Sequence, residues 1–147
     1  VRTVGDGQFW FQPRKYSHEG KERIEEAWLR LRRGVLRSKV AVKYLKRVAE
    51  TTGDKEPTHA QVADTLTQEE LAELYEALGE RDFEAVDRVT RLTLRYGVGE
   101  NNFGGIDAVA DGADEATIES ICRIGELADE VMQTVRGHNR PFGTGTP

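Results

Sequence analysis

The feature that most constrains this chain is an apolar seam running through residues 17–52. Ile24, Trp28, Leu31, Val35, Ser38, Val42, Leu45 and Ala49 alternate spacings of four and three. That alternation keeps one line of side chains on one side of an α-helix, with Ser38 as its single polar member. Ala27, Gly34, Ala41 and Val48 run beside it at every seventh position and are mostly small, so a second helix can approach closely. Ser17 offers an N-cap oxygen, Glu19 places a negative charge in the first turn, and Gly53-Asp54 closes the run. The spacing predicts one long helix from about Ser17 to Thr52. It would be the spine of an all-α, mainly helical bundle.

The flanks are read around that spine. Gln8-Phe9-Trp10-Phe11-Gln12, between a Gly5-Asp6-Gly7 turn and Pro13, predicts one short strand or extended aromatic arm. One strand leaves its own backbone groups unsatisfied, so it must pair with a segment not evident here or lie over the helices. Beyond the spine, Thr58 with Gln61 and Thr67 with Glu70 have capping-box spacing and predict two further helix starts. Leu71, Leu74, Tyr75 and Leu78 share one face of the second of these, and Gly79 stops it. Asp82 can cap another helix, with Val86, Val89 and Leu92 inward.

Residues 97–105 then hold four glycines and two asparagines, which predicts a loop or hinge, extended to 113 by an acidic stretch. A last helix is expected over 114–137, with Ile118, Ile121, Gly125, Ala128, Met132 and Val135 on one face. The organisation expected is therefore a helical domain over 1–96 with its aromatic arm, a hinge over 97–113, a helix over 114–137 and a flexible tail over 138–147.

Much familiar chemistry has no residues to carry it. The one cysteine, Cys122, excludes an internal disulfide framework and any cysteine-based zinc site. His18, His59 and His138 lack ligand spacing, and the glycine-rich stretch lacks the Gly-Lys-Ser/Thr ending of a phosphate loop. Adjacent carboxylates such as Glu25-Glu26 and Glu69-Glu70 do not face each other on a helix. No catalytic residue, metal site or cofactor is expected. No run approaches the roughly 20 apolar residues of a membrane span, and the opening residues have no signal-peptide core. A cytoplasmic protein is the expectation.

Charge is distributed unevenly. Eight basic residues and no acid lie between Arg30 and Arg47, whereas twelve acids and only Lys55 and Arg81 lie between Glu50 and Asp87. The basic run can be a solvated helix face, an intramolecular partner for the acidic helices, or a phosphate-binding patch. A net charge of −5 weighs against nucleic acid unless the patch is segregated. Leu29, Leu36 and Val40 lie opposite the seam, at spacings of seven and four. They form a second, smaller apolar stripe that is either covered by the fold or meets a partner. With Trp10 and Phe11 of the arm, they are the candidate partner-binding residues.

Two resemblances follow. Residues 56–66 (EPTHAQVADTL), followed by Thr67-Gln68-Glu69-Glu70-Leu71, resemble the helix-turn-helix of bacterial sigma factors and small regulators. The helix that would enter the groove, however, carries Glu69, Glu70, Glu73 and Glu76 and no basic residue, so phosphate would repel it. In overall plan the chain is similar to the tail assembly chaperones of long-tailed bacteriophages. The shared features are an aromatic N-terminal segment at Phe9-Trp10-Phe11, an acidic helical body, and a final helix running into Asn139-Arg140-Pro141-Phe142. That resemblance implies a helical protein that escorts the tape-measure protein, self-associates, and uses no cofactor. The expected function is non-enzymatic binding of a helical client in the bacterial host cytoplasm. The alternative is a nucleic-acid-associated regulator using the basic face of residues 30–47.

Overall fold

The computed structural model describes residues 1–105 and 107–140. The chain is mostly helical, but it also carries a four-stranded antiparallel sheet. It divides into two compact units, one of residues 1–24 with residues 90 onward, the other of residues 25–89. Helices α1 (His18–Val35) and α5 (Glu80–Gly97) contribute residues to both.

In the first unit the aromatic segment is strand β2 (Phe9–Pro13), and it has partners on both sides. β1 (Arg2–Val4) reverses at Gly5, where the Gln8 N–H donates to the Gly5 carbonyl at 3.1 Å, and pairs with β2 in the register Val4↔Phe9 and Arg2↔Phe11. The other neighbour is β3 (Val98–Asn101), with Phe11 opposite Asn101, and β4 (Ala110–Asp111) closes the sheet.

The glycine-rich stretch read from sequence as a hinge therefore holds two strands. Its asparagines explain how. Asn101 is completely buried; its Nδ2 donates to the carbonyls of Gly99 and Gly112, both at 2.9 Å, and its Oδ1 accepts from the Phe103 N–H. Asn102 Oδ1 accepts the Trp10 N–H at 2.7 Å, while the Asn102 N–H donates to the Trp10 carbonyl. Side-chain amides stand in for ladder groups that a regular strand would supply.

Phe103, nearly buried, brings its ring within 5.7 Å of both Phe9 and Phe11. Helix α7 (Gly125–Asn139) packs on β1 and β2, burying Leu127, Ala128, Val131, Met132 and Val135. Asn139 ties its end to the segment after β2, accepting the Tyr16 N–H at 2.8 Å and donating to the Arg14 carbonyl at 2.9 Å. The single last helix expected over 114–137 is two helices. α6 (Glu115–Cys122) starts at Asp114, whose carboxylate accepts the Thr117 N–H at 2.8 Å and is thereby held below the usual aspartate range. The helical φ/ψ run breaks at Ile124, and α7 continues past Gly137 to Asn139. The expected tail over 138–147 falls, from Pro141 on, outside the described residues.

In the second unit the long spine is likewise broken. α1 ends at Val35 and α2 (Lys39–Thr52) begins after Ser38. The Arg37 and Ser38 N–H groups tighten the end of α1 onto the carbonyls of Gly34 and Val35. Ser38 is extended (φ −111°, ψ 118°), and its hydroxyl accepts the Ala41 N–H at 3.1 Å. The polar member of the seam is thus the N-cap of a second helix. A heptad pattern carried across a cap still has its spacing, which is why sequence periodicity joined the two. Among the described residues the run over 17–52 is therefore two helices, and not the one long helix expected.

The rest of this unit follows the caps. α3 (His59–Thr65) and α4 (Gln68–Ala77) start at complete capping boxes on Thr58/Gln61 and Thr67/Glu70. α2, α3 and α4 bury Ala41, Tyr44, Val48, Val62, Leu66 and Leu74 together, with Val35, Val40, Leu45, Leu71 and Leu78 packed around them. The buried line of α2 is Ala41-Tyr44-Val48, which takes in the flank residues Ala41 and Val48 and adds Tyr44, whereas Val42, Leu45 and Ala49 of the seam are half-buried.

Candidate functional site

Of the candidate partner-binding residues, two face solvent. Leu36 is 71% exposed and Leu29 is 44% exposed. Seven residues apart, they lie on nearly one line of a helix, and the Leu36 N–H still donates to the Arg32 carbonyl at 2.9 Å, so that line runs through the end of α1. The others do not join them. Val40 lies beyond the break, in α2, and packs against the Tyr44 core. Phe11 is completely buried in the sheet, and Trp10 is half-buried in the same strand. The expected stripe is two leucines, because the chain turns at Ser38 before Val40 can extend it. In α5, Phe83 and Val86 are 44% and 41% exposed, although the spacing with Val89 and Leu92 places Val86 inward.

The basic run is partly consumed internally. Arg32 pairs with Glu56, Arg47 with Glu70, and Arg30 with Glu26 at 3.1 Å. The Arg47 guanidinium, together with the Thr67 N–H, holds the Glu70 carboxyl at about 2, well below its usual range. Arg47 also lies over the Tyr44 ring at 5.4 Å. The Tyr44 hydroxyl donates to Glu73, and that bond, with burial and the Glu73 charge, raises the phenol above its ordinary value. The acids of α4 therefore serve the second reading of the basic run, as partners for α2.

Two arginines of the run have a different setting. Arg33 and Arg37, with Arg30, line a cavity of about 490 Å³ against Arg81 and Arg88 of α5. Its other lining residues are Ala27, Gly34, Ala85, Asp82 and Glu84. Asp82 had been read as a helix cap. It lies in the first turn of α5 and accepts the Gly79 N–H at 2.9 Å. A Cβ at Gly34 would sit 2.2 Å from Asp82 Oδ1, so a larger residue there would push the Asp82 carboxylate aside. Sequence reading missed this site because Arg81 and Arg88 stand some fifty residues away, inside a stretch dominated by acids. Their spacing of seven, matched by Arg30 and Arg37, was the signal available.

His59 stacks on Tyr75 with ring centroids 5.8 Å apart, and His18 pairs with Glu22 at 3.0 Å. Among the described residues no three His, Cys, Asp or Glu side chains gather as a metal site, and no helix is long and apolar enough to cross a membrane. No protein-family model, curated protein or solved structure matches this chain.

Proposed function

We propose that this chain is a non-enzymatic binding protein that holds a helical protein client and self-associates, in the manner of phage tail assembly chaperones. The observation that carries the reading is the pair Leu29 and Leu36, large apolar side chains left in water on one line that runs along α1 and past its end. Covering a leucine fully gains roughly 1.5–3 kcal/mol. A client helix presenting apolar residues at spacings of three, four and seven would cover both. Phe83 and Val86 add apolar surface to the same unit.

The nucleic-acid reading of residues 30–47 is weaker, because Arg30, Arg32 and Arg47 already hold carboxylates. The discriminating experiment compares L29S/L36S with R32Q/R33Q/R37Q by sedimentation velocity across a range of protein concentrations. The wild type and the Gln variant should associate, and the Ser variant should stay monomeric with an unchanged circular dichroism spectrum. A Ser variant that associates like wild type, together with salt-dependent duplex DNA binding lost in the Gln variant, would reverse the ranking.

A further inference from the structure

The cavity lined by Arg30, Arg33, Arg37, Arg81 and Arg88 goes beyond client binding and uses different residues. This chain has 26 acidic and 21 basic side chains, so carboxylates are in excess. Arg14, Arg23, Arg30, Arg32, Arg47, Arg91 and Arg95 each hold a carboxylate. Arg33, Arg37, Arg81 and Arg88 hold none among the described residues. An acidic protein has left four unpaired guanidiniums around one cavity. Mutual repulsion makes that arrangement unfavourable unless a multivalent anion occupies it.

We propose that this cavity binds a short polyphosphate chain, free or carried by a nucleoside. Guanidinium forks match phosphate oxygens two at a time, and several converging forks favour a compact ligand of high charge. The volume, about 490 Å³, falls in the range of small-molecule sites. Its small lining residues Ala27, Gly34 and Ala85 leave that room. No aromatic ring lines it, so a base has no stacking partner and recognition rests on the phosphates. A long polyanion is disfavoured, because residues 50–87 of the same unit carry twelve acids. Two carboxylates oppose the ligand. Asp82 is engaged with the Gly79 N–H, and Glu84 is the one whose charge works directly against binding.

The test is isothermal titration of the whole protein with inorganic tripolyphosphate and with ATP at 150 mM salt. One ligand per chain should bind. R37Q/R88Q should weaken it at least tenfold, and the charge-matched K46Q/K55Q, on exposed lysines that do not line the cavity, less than twofold. E84Q should tighten it severalfold. A85L, which fills the cavity at constant charge, should weaken it as the arginine variant does. Tighter binding of ATP than of tripolyphosphate would make nucleotides the source, and equal or weaker binding would make it inorganic polyphosphate. Each result upholds the site. Absence of millimolar or better affinity for both probes would overturn it. So would equal losses in R37Q/R88Q and K46Q/K55Q, or binding seen only with a glutamate-rich peptide or an oligonucleotide. Association in the sedimentation experiment is unaffected by any of these outcomes, so the two proposals fail separately.

Discussion

The two units satisfy their polar groups and their apolar surface in opposite ways. The first buries two asparagines and gives them backbone partners, and it takes rings and aliphatic side chains from strands and helices alike into its interior. The second gathers Ala41, Tyr44, Val48, Val62, Leu66 and Leu74 into one cluster from three helices and their ends, started by Ser38, Thr58 and Thr67, and leaves leucines and arginines in water. A region whose groups are all engaged resists change, and a region with uncovered groups is where binding can add stability. The first unit also exposes Val1, Val109 and Ile124, but with its buried amides and rings it is the more closed part of this chain, and the second is the more open.

The strongest way to break that comparison is Phe11→Ala. The ring is completely buried against Phe103, so its loss should cost about 3–5 kcal/mol in chemical denaturation. If Phe11 were a surface anchor, as its place in an aromatic arm suggested, the cost would be near zero. Next is Asn101→Ala, which strands the Gly112 carbonyl and the Phe103 N–H and takes from the Gly99 carbonyl one of its two donors, leaving the Gly112 N–H. Each orphaned buried group costs about 1–3 kcal/mol, so a total of about 3 kcal/mol is expected. A free hinge would tolerate the change.

These two positions mark where the sequence was legible and where it was not. The starts at Ser17, Thr58, Thr67 and Asp114 were readable because a cap is a local event, a side-chain oxygen meeting an N–H three residues on. The sheet was not, because Arg2–Val4 and Val98–Asn101 are short and lack alternation, and pairing joins residues some ninety positions apart. The break at Ser38 was half visible, as a polar residue in an apolar seam. Leu29 and Leu36 were legible because helical spacing alone places them away from the seam. The arginine cavity was not, since only the fold brings Arg33 and Arg37 to Arg81 and Arg88.

Ser38→Ala sharpens that middle case by its sign. At an N-cap the change costs about 1 kcal/mol, whereas inside one continuous helix alanine would stabilise by a few tenths. Thermal melts of the two proteins decide it, with a lower melting temperature expected for the variant.

A smaller effect concerns Glu70. Its folded value of about 2 lies below the ordinary 4.5, so the Arg47 contact contributes stability above about pH 4.5 and loses it as pH falls towards 2. Glu70→Gln preserves the capping box but removes the charge. Its melting temperature should therefore change less than that of wild type between pH 5 and pH 2.5. The smallest effect on stability is expected for L29S/L36S, within about 0.5 kcal/mol, because both side chains are exposed.

The contrast between a closed and an open unit is tested most directly by residue-resolved hydrogen exchange. The amides of Asn102, Phe103 and Gly112 donate to the Trp10 carbonyl, Asn101 Oδ1 and the Gly99 carbonyl. They should exchange as slowly as those of α7, while amides around the α1–α2 junction and residues 53–58 exchange through local opening, faster by tenfold or more. Rapid exchange at Asn102, Phe103 and Gly112, with protection concentrated across residues 34–40, would contradict the account. It would restore one long helix and a mobile hinge.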